Sequence, residues 1–190
     1  MIRIGILGDI GSGKSYVAKN FGHPVFNADF EVSRLYKKNR NVFNKLKKVL
    51  PKYIQTFPVK KDELTKAILA NKINLKKIVR IVHKEVKKKM NIFIRKNKAK
   101  KFIILDIPLL LENKINKKND ILVYVQSNKL DILARLKKRK NFNLKLIKKF
   151  KMVQLPQSYK KKKSHFIIKN DFTKKSVNIG IKNILNELNK

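Results

Sequence analysis

GILGDIGSGKSYVAKNF, Gly5 to Phe21, is the stretch that decides the fold. An apolar run from Ile2 to Leu7 enters a glycine-rich loop that ends on Lys14-Ser15, and a stretch of helical character follows. Gly8 to Ser15 satisfies the pattern G-x-x-x-x-G-K-[ST]. Glycines let a loop wrap so that successive backbone N–H groups point inward at phosphate oxygens. A helix opening near Lys14 adds its positive end. The expected cradle is the backbone of Gly11, Ser12, Gly13, Lys14, Ser15 and Tyr16. Lys14 is placed to reach the β- and γ-phosphates of a nucleoside triphosphate, and the Ser15 hydroxyl to bind Mg²⁺. The motif names the donor and is silent about the acceptor.

Further apolar runs predict strands at residues 3–7, 24–27, 102–106, 121–125 and 165–169. Between them lie helical patterns. The clearest places Leu75, Ile78, Val82, Val86, Met90 and Phe93 on one face of a long helix. Val177, Ile181, Ile184, Leu185 and Leu188 repeat the pattern near the C-terminus. Strands alternating with helices predict an α/β fold of the P-loop NTPase kind: three layers, α/β/α, around a parallel five-stranded sheet. Residues 40–98 carry no strand signal and are expected to form a helical insertion. Residues 135–163, helical and dense in Lys and Arg, are expected to form a lid. The nucleotide-binding core is then residues 1–39, 99–134 and 164–190.

Composition narrows the class. The chain has 190 residues, enough for one proper core, and 43% of them are hydrophobic. It has no cysteine, which excludes disulfides, thiolate catalysis and Cys-ligated zinc. No apolar run is long enough to span a membrane. The first strand starts at once, leaving no room for a signal peptide, so a cytoplasmic location is expected. The formal net charge is +37, and only seven of the 49 basic residues are Arg. Lysines spread over every segment beside abundant Asn and Ile read as coding bias, with a polyanion-binding surface as the alternative. In either case the positive field speeds capture of polyanionic ligands at low salt.

A guanine-reading Asn-Lys-x-Asp string is missing: the nearest, Asn116-Lys117-Lys118-Asn119, ends in an amide. A short P-loop chain with an insertion and a basic lid points to a small-molecule kinase. A nucleic-acid-dependent ATPase is the alternative that the charge suggests, although no interleaved aromatics support it.

The strings HPVFNADFE (23–31), RIVHKEV (80–86), ILDIPLLLE (104–112), RLKKR (135–139) and MVQLP (152–156) occur in an order and spacing that resemble the dephospho-coenzyme A kinases. The likeness spans nearly the whole chain, and it implies that the helical insertion at residues 40–98 binds the acceptor. It implies MgATP-dependent phosphorylation of the ribose 3′-hydroxyl of dephospho-CoA, with ATP and dephospho-CoA as the small-molecule partners and no membrane or nucleic-acid partner. Other P-loop small-molecule kinases, such as nucleoside monophosphate kinases, are the alternative and lack these strings.

The resemblance assigns roles. Asp29 falls on the second acid of the family's D-A-D motif and looks like the base that takes the acceptor's proton; local sequence reads it equally as a helix N-cap, and the two roles are compatible. Asn27 stands at the first acid of that motif and cannot bring negative charge to a metal shell. Asp9 departs from a small residue, and Tyr16 from Thr. Asp106, Pro108, Leu109 and Glu112 are expected along the acceptor side. So is His83, although Lys84 replaces the family's Pro and lets the helix continue. Arg135 and Arg139 form an i, i+4 pair; Arg139 in particular is expected to contact ATP phosphates through its planar fork. Gln154 is expected near the lid hinge.

Overall fold

The computed structural model describes residues 1–140 and 142–190. Five strands form one parallel sheet: β1 (Ile2–Gly8), β2 (Val25–Asn27), β3 (Phe102–Asp106), β4 (Ile121–Gln126) and β5 (Phe166–Lys169), in the order β2-β3-β1-β4-β5. Each expected strand is present within a residue or two. The continuous apolar runs have their reason here, because β3 is buried along its entire length and β1 from Arg3 onward. Register is tied by Ile4, which pairs with Ile104 on one side and Ile121 on the other.

Nine helices are described: α1 (Lys14–Asn20), α2 (Ala28–Lys38), α3 (Arg40–Val49), α4 (Lys61–Ala70), α5 (Lys72–Lys96), α6 (Lys129–Lys137), α7 (Leu144–Lys151), α8 (Gln157–Lys162) and α9 (Lys174–Leu188). The chain divides into two compact units. The first holds residues 1–27, 97–142 and 153–190 and contains the sheet. Its core joins Ile4, Ile6, Ile104, Val123 and Ile168 of the sheet to Val17 and Ala18 of α1 and to Val177, Ile181 and Ile184 of α9. Gly180 lets α9 lie close, since a Cβ there would meet Ile168 at 3.1 Å. Buried apolar surface at ~25 cal/mol per Å² is the main stabilising term of such a core.

The second unit holds residues 28–96 and 143–152. It has no strand among its described residues. The stripe on α5 is buried at Leu75, Ile78, Val82, Val86 and Met90 and packs with α2, α3 and α4; α7 packs on α4. α5 passes His83-Lys84 without a break, as a helix lacking the restrictive proline should. No helix among the described residues is long and apolar enough to cross a membrane.

Candidate active site

The loop between β1 and α1 is held in its wrap from outside. Gly8, Gly11 and Gly13 have φ of 146°, 88° and 90°, a region that residues with a Cβ disfavour. Space forbids a side chain as well. A Cβ on Gly8 would lie 2.7 Å from the Val125 carbonyl, one on Gly11 would press on Leu136 and Ile132 of α6, and one on Gly13 would strike the Asn170 amide. Ser12 is 1% exposed, and its carbonyl accepts from Ser127 Oγ at 3.0 Å and from Asn170 Nδ2 at 2.8 Å. Those bonds fix the direction of the Ser12 carbonyl toward Ser127 and Asn170.

Gly13 caps α1 without a side-chain bond, so no side chain occupies the helix's first donors. The Tyr16 N–H already donates to the Gly13 carbonyl at 3.0 Å. Lys14 Nζ donates to the carbonyls of Gly8 (3.2 Å) and Asp9 (2.7 Å), which holds the ammonium over the loop. Ser15 and Tyr16 are exposed. The Asp9 carboxylate accepts from the Ile10 N–H at 2.7 Å. Burial, and secondarily the Asp9 charge, push the Tyr124 hydroxyl above its ordinary pKa. A glycine loop opening a helix, with one lysine and one hydroxyl, fits a triphosphate with its metal. Among the described residues no three acids or histidines gather to hold a metal by themselves. Mg²⁺ carried on phosphates needs only one or two protein oxygens.

Every brace on the loop, Ser127 after β4, Asn170 after β5 and α6, lies on the β4–β5 flank of the sheet. The β2–β3 flank carries a different set. Asp106 closes β3, is 3% exposed, and accepts from Asn27 Nδ2 at 2.5 Å across the β2–β3 pair. Where the family pattern has an acid, this chain thus places a neutral donor against Asp106. Ile107 and Leu110 are buried, and Leu110 fills the notch above Gly5. Pro108 and Leu109 are half-buried between them. Glu112 ends the segment: Oε1 accepts from Lys160 Nζ at 2.7 Å and from the Leu155 N–H at 3.0 Å.

Two of the expected residues belong to the helical unit. Asp29 is exposed and sits in the first turn of α2, one residue inside the helix rather than at its cap. A carboxylate there is favoured by the helix dipole. His83 lies on α5 with Nε2 buried and unpartnered; burial, then the charge of Lys87, hold its pKa below the ordinary value. The two arginines Arg135 and Arg139 differ. The Arg135 guanidinium lies 4.2 Å from the centre of the Phe172 ring, beside Gly13. Arg139 is exposed, just past the end of α6. Gln154 Oε1 accepts from Gln157 Nε2 at 3.3 Å and stands 3.5 Å from Lys160 Nζ.

With this arrangement in view, comparison with known proteins is decisive. Residues 2–176 match the family model of dephospho-CoA kinase. The chain belongs to the dephospho-CoA kinase family. The dephospho-CoA kinase of Wolbachia sp. subsp. Brugia malayi is 33% identical over 190 residues, covering 97% of each chain. That of Wolbachia pipientis wMel is 34% identical over 191 residues, covering 98% of this chain and 97% of its own. A crystal structure from Thermus thermophilus superposes with a TM-score of 0.75 at 23% identity, over 98% of this chain and 97% of that one. A dephospho-CoA kinase from Campylobacter jejuni gives 0.62 at 19%, over 98% and 96%. A shikimate kinase from Bacteroides thetaiotaomicron gives 0.55 at 11%, over 100% and 99%. At these identities the solved structures establish the fold, a P-loop kinase fold, and the family rests on the sequence match.

Sequence reading missed Ser127, Asn170, Phe172 and Lys160. The first three are polar or aromatic residues in loops after strands, a position where ligand sites of open sheets gather. That position was their only signal.

Proposed function

We propose that this protein transfers the γ-phosphoryl group of ATP to the ribose 3′-hydroxyl of dephospho-CoA, the last step in making coenzyme A. The observation that carries the reading is the match of residues 2–176 to the dephospho-CoA kinase family in a chain whose phosphate loop is complete and externally braced. ATP phosphates lie on Gly11 to Tyr16, with Lys14 on the β- and γ-oxygens. The Ser15 hydroxyl, together with the phosphates, would hold Mg²⁺, which would supply charge neutralisation of the transferring group. Arg139 adds its guanidinium to the phosphates as the segment 135–163 closes and excludes water. The donor occupies the braced β4–β5 flank, and the acceptor meets the β2–β3 flank along Asp106, Pro108, Leu109 and Glu112, with His83 as a further contact.

Asp29 accepts the proton of the 3′-hydroxyl. The ribose oxygen attacks the γ-phosphorus, the bond to the β–γ bridging oxygen breaks, and ADP leaves with that electron pair. Nothing in the reaction calls for a membrane or nucleic acid, and a soluble biosynthetic enzyme of this kind works in the cytoplasm.

The test is ADP release in the presence of MgATP with dephospho-CoA, AMP, shikimate, pantetheine or RNA as the second component. Turnover is expected with dephospho-CoA, yielding coenzyme A by mass. Turnover with AMP and none with dephospho-CoA would overturn the proposal in favour of a nucleotide kinase. Hydrolysis stimulated by RNA alone would favour a nucleic-acid-dependent ATPase.

A further inference from the structure

We infer that Lys160 is a positioning residue for the acceptor side, acting through Glu112; the inference rests on the function proposed above. Lys160 stands first in a run of four lysines, and nothing in the run distinguishes it. In the fold its side chain is 1% exposed, and among the described residues it is the only buried lysine. Its ammonium meets Glu112 Oε1 at 2.7 Å, with that carboxylate 8% exposed, and Gln154 Oε1 at 3.5 Å. The Lys160 carbonyl accepts from Ser164 Oγ at 2.8 Å, which steadies the end of its helix. Glu112 Oε1 also takes the Leu155 N–H. Glu112 Oε2 is buried without a protein partner.

A buried pair of this kind is a poor way to gain stability, because desolvating both ions offsets most of their attraction, and apolar residues of similar size do as well. What an ion pair does supply is direction. Here it fixes two points of the chain on one oxygen. One is the end of the segment that follows β3. The other is Leu155, just after the chain re-enters the sheet-bearing unit from residues 143–152.

The segment between Asp106 and Glu112 has three anchors. Asp106 is bonded to Asn27, Leu110 is seated over Gly5, and Glu112 is clamped by Lys160. Only Pro108 and Leu109, and half-buried Leu111, stay partly open. That open portion sits at the carboxyl ends of β3 and β2, where a ligand of this sheet is met. The whole segment between Asp106 and Glu112 is only five residues long, so without the clamp on Glu112 Leu110 alone holds the C-terminal side of Pro108 and Leu109. A misplacement of ~1 Å at a substrate-contacting segment can cost ~10²-fold in rate. The phosphate loop is braced independently by Ser127, Asn170 and α6, so the donor side has no need of this clamp.

The test compares Lys160→Met and the neutral pair Glu112→Gln/Lys160→Met with wild type, and uses Lys161→Met, at an exposed lysine, as a control. Melting temperature, the KM of ATP, the KM of dephospho-CoA and kcat are read for each. The neutral pair is expected to melt near wild type and to keep the KM of ATP within about twofold. Its kcat/KM for dephospho-CoA should fall about 10- to 100-fold, mostly through KM. An unchanged KM for dephospho-CoA, or equal changes for both substrates, overturns the role. If both Lys160→Met variants fail to fold, Lys160→Gln decides. It keeps a hydrogen-bond donor for Glu112 without the charge or the length of the lysine, and it must raise the KM of dephospho-CoA selectively or the inference falls. Wild type that never phosphorylates dephospho-CoA overturns the functional reading; wild type that does, with unshifted variants, overturns Lys160's part alone.

Discussion

Asn170→Ala isolates what shapes the phosphate loop. The substitution removes two hydrogen bonds: Nδ2 to the Ser12 carbonyl at 2.8 Å, and the Phe172 N–H to Oδ1 at 2.9 Å. A hydrogen bond of this kind contributes ~0.5–1.5 kcal/mol net, so the pair amounts to ~1–3 kcal/mol. The Ser12 carbonyl keeps Ser127 Oγ at 3.0 Å and is not stranded, which argues against a larger penalty. If that energy holds the loop in its nucleotide-binding shape, ATP binding must supply it in the variant. At ~1.4 kcal/mol per decade, the dissociation constant should rise ~5- to 150-fold. For a chain of this size the melting temperature should fall by roughly 2–4 °C per kcal/mol. Fluorescence titration with a labelled ATP, beside a thermal melt, reads both. An ATP affinity within twofold of wild type in a folded variant would refute the reasoning, because the brace would then be irrelevant to the cradle.

Asp29→Asn should leave ATP affinity nearly unchanged and cut turnover with dephospho-CoA by ~10²-fold or more; unchanged turnover in a steady-state assay would remove Asp29 from the role of base. Asp120→Ala should be a severe stability defect, because it leaves the buried Arg3 guanidinium without its 2.9 Å partner; ~3–5 kcal/mol in denaturant melts is expected, and a loss under 1 kcal/mol would contradict it. His83 gives a pH prediction. Its folded pKa is depressed, so between that value and 6.5 the unfolded chain binds more protons, and stability falls as pH drops through that window. His83→Asn should flatten the loss of stability between pH 7.5 and 5, and an unaltered slope in urea melts would count against it.

The strands and the phosphate loop were legible because their signals are local. Continuous apolar runs mark strands buried on both faces, and G-x-x-x-x-G-K-S encodes its own backbone geometry. The stripe on α5 was legible for the same reason, since six apolar residues at helical spacing state which face is covered. As a cap, Asp29 was read two positions off, because α2 starts at Ala28 and a helix start is set by a few marginal bonds. Lys160 could not be found at all. Which of four successive lysines is buried depends on the rotation of α8 against β1, a tertiary matter that identical side chains leave unwritten. Asn170 and Ser127 act through a single carbonyl far away in sequence, and lone polar residues in loops carry no period to read.

β1, at the centre of the sheet, has consequences for biogenesis. Its neighbours begin at Phe102 and Ile121, so during synthesis β1 finds no partner until residues 9–101 have been made. At ~5–20 residues per second that is a wait of roughly 5–20 s for the first of them. Throughout it, an apolar strand with two open edges is a target for chaperones and for self-association. Soluble yield of this protein should therefore respond to translation speed and chaperone supply more strongly than its finished stability would suggest.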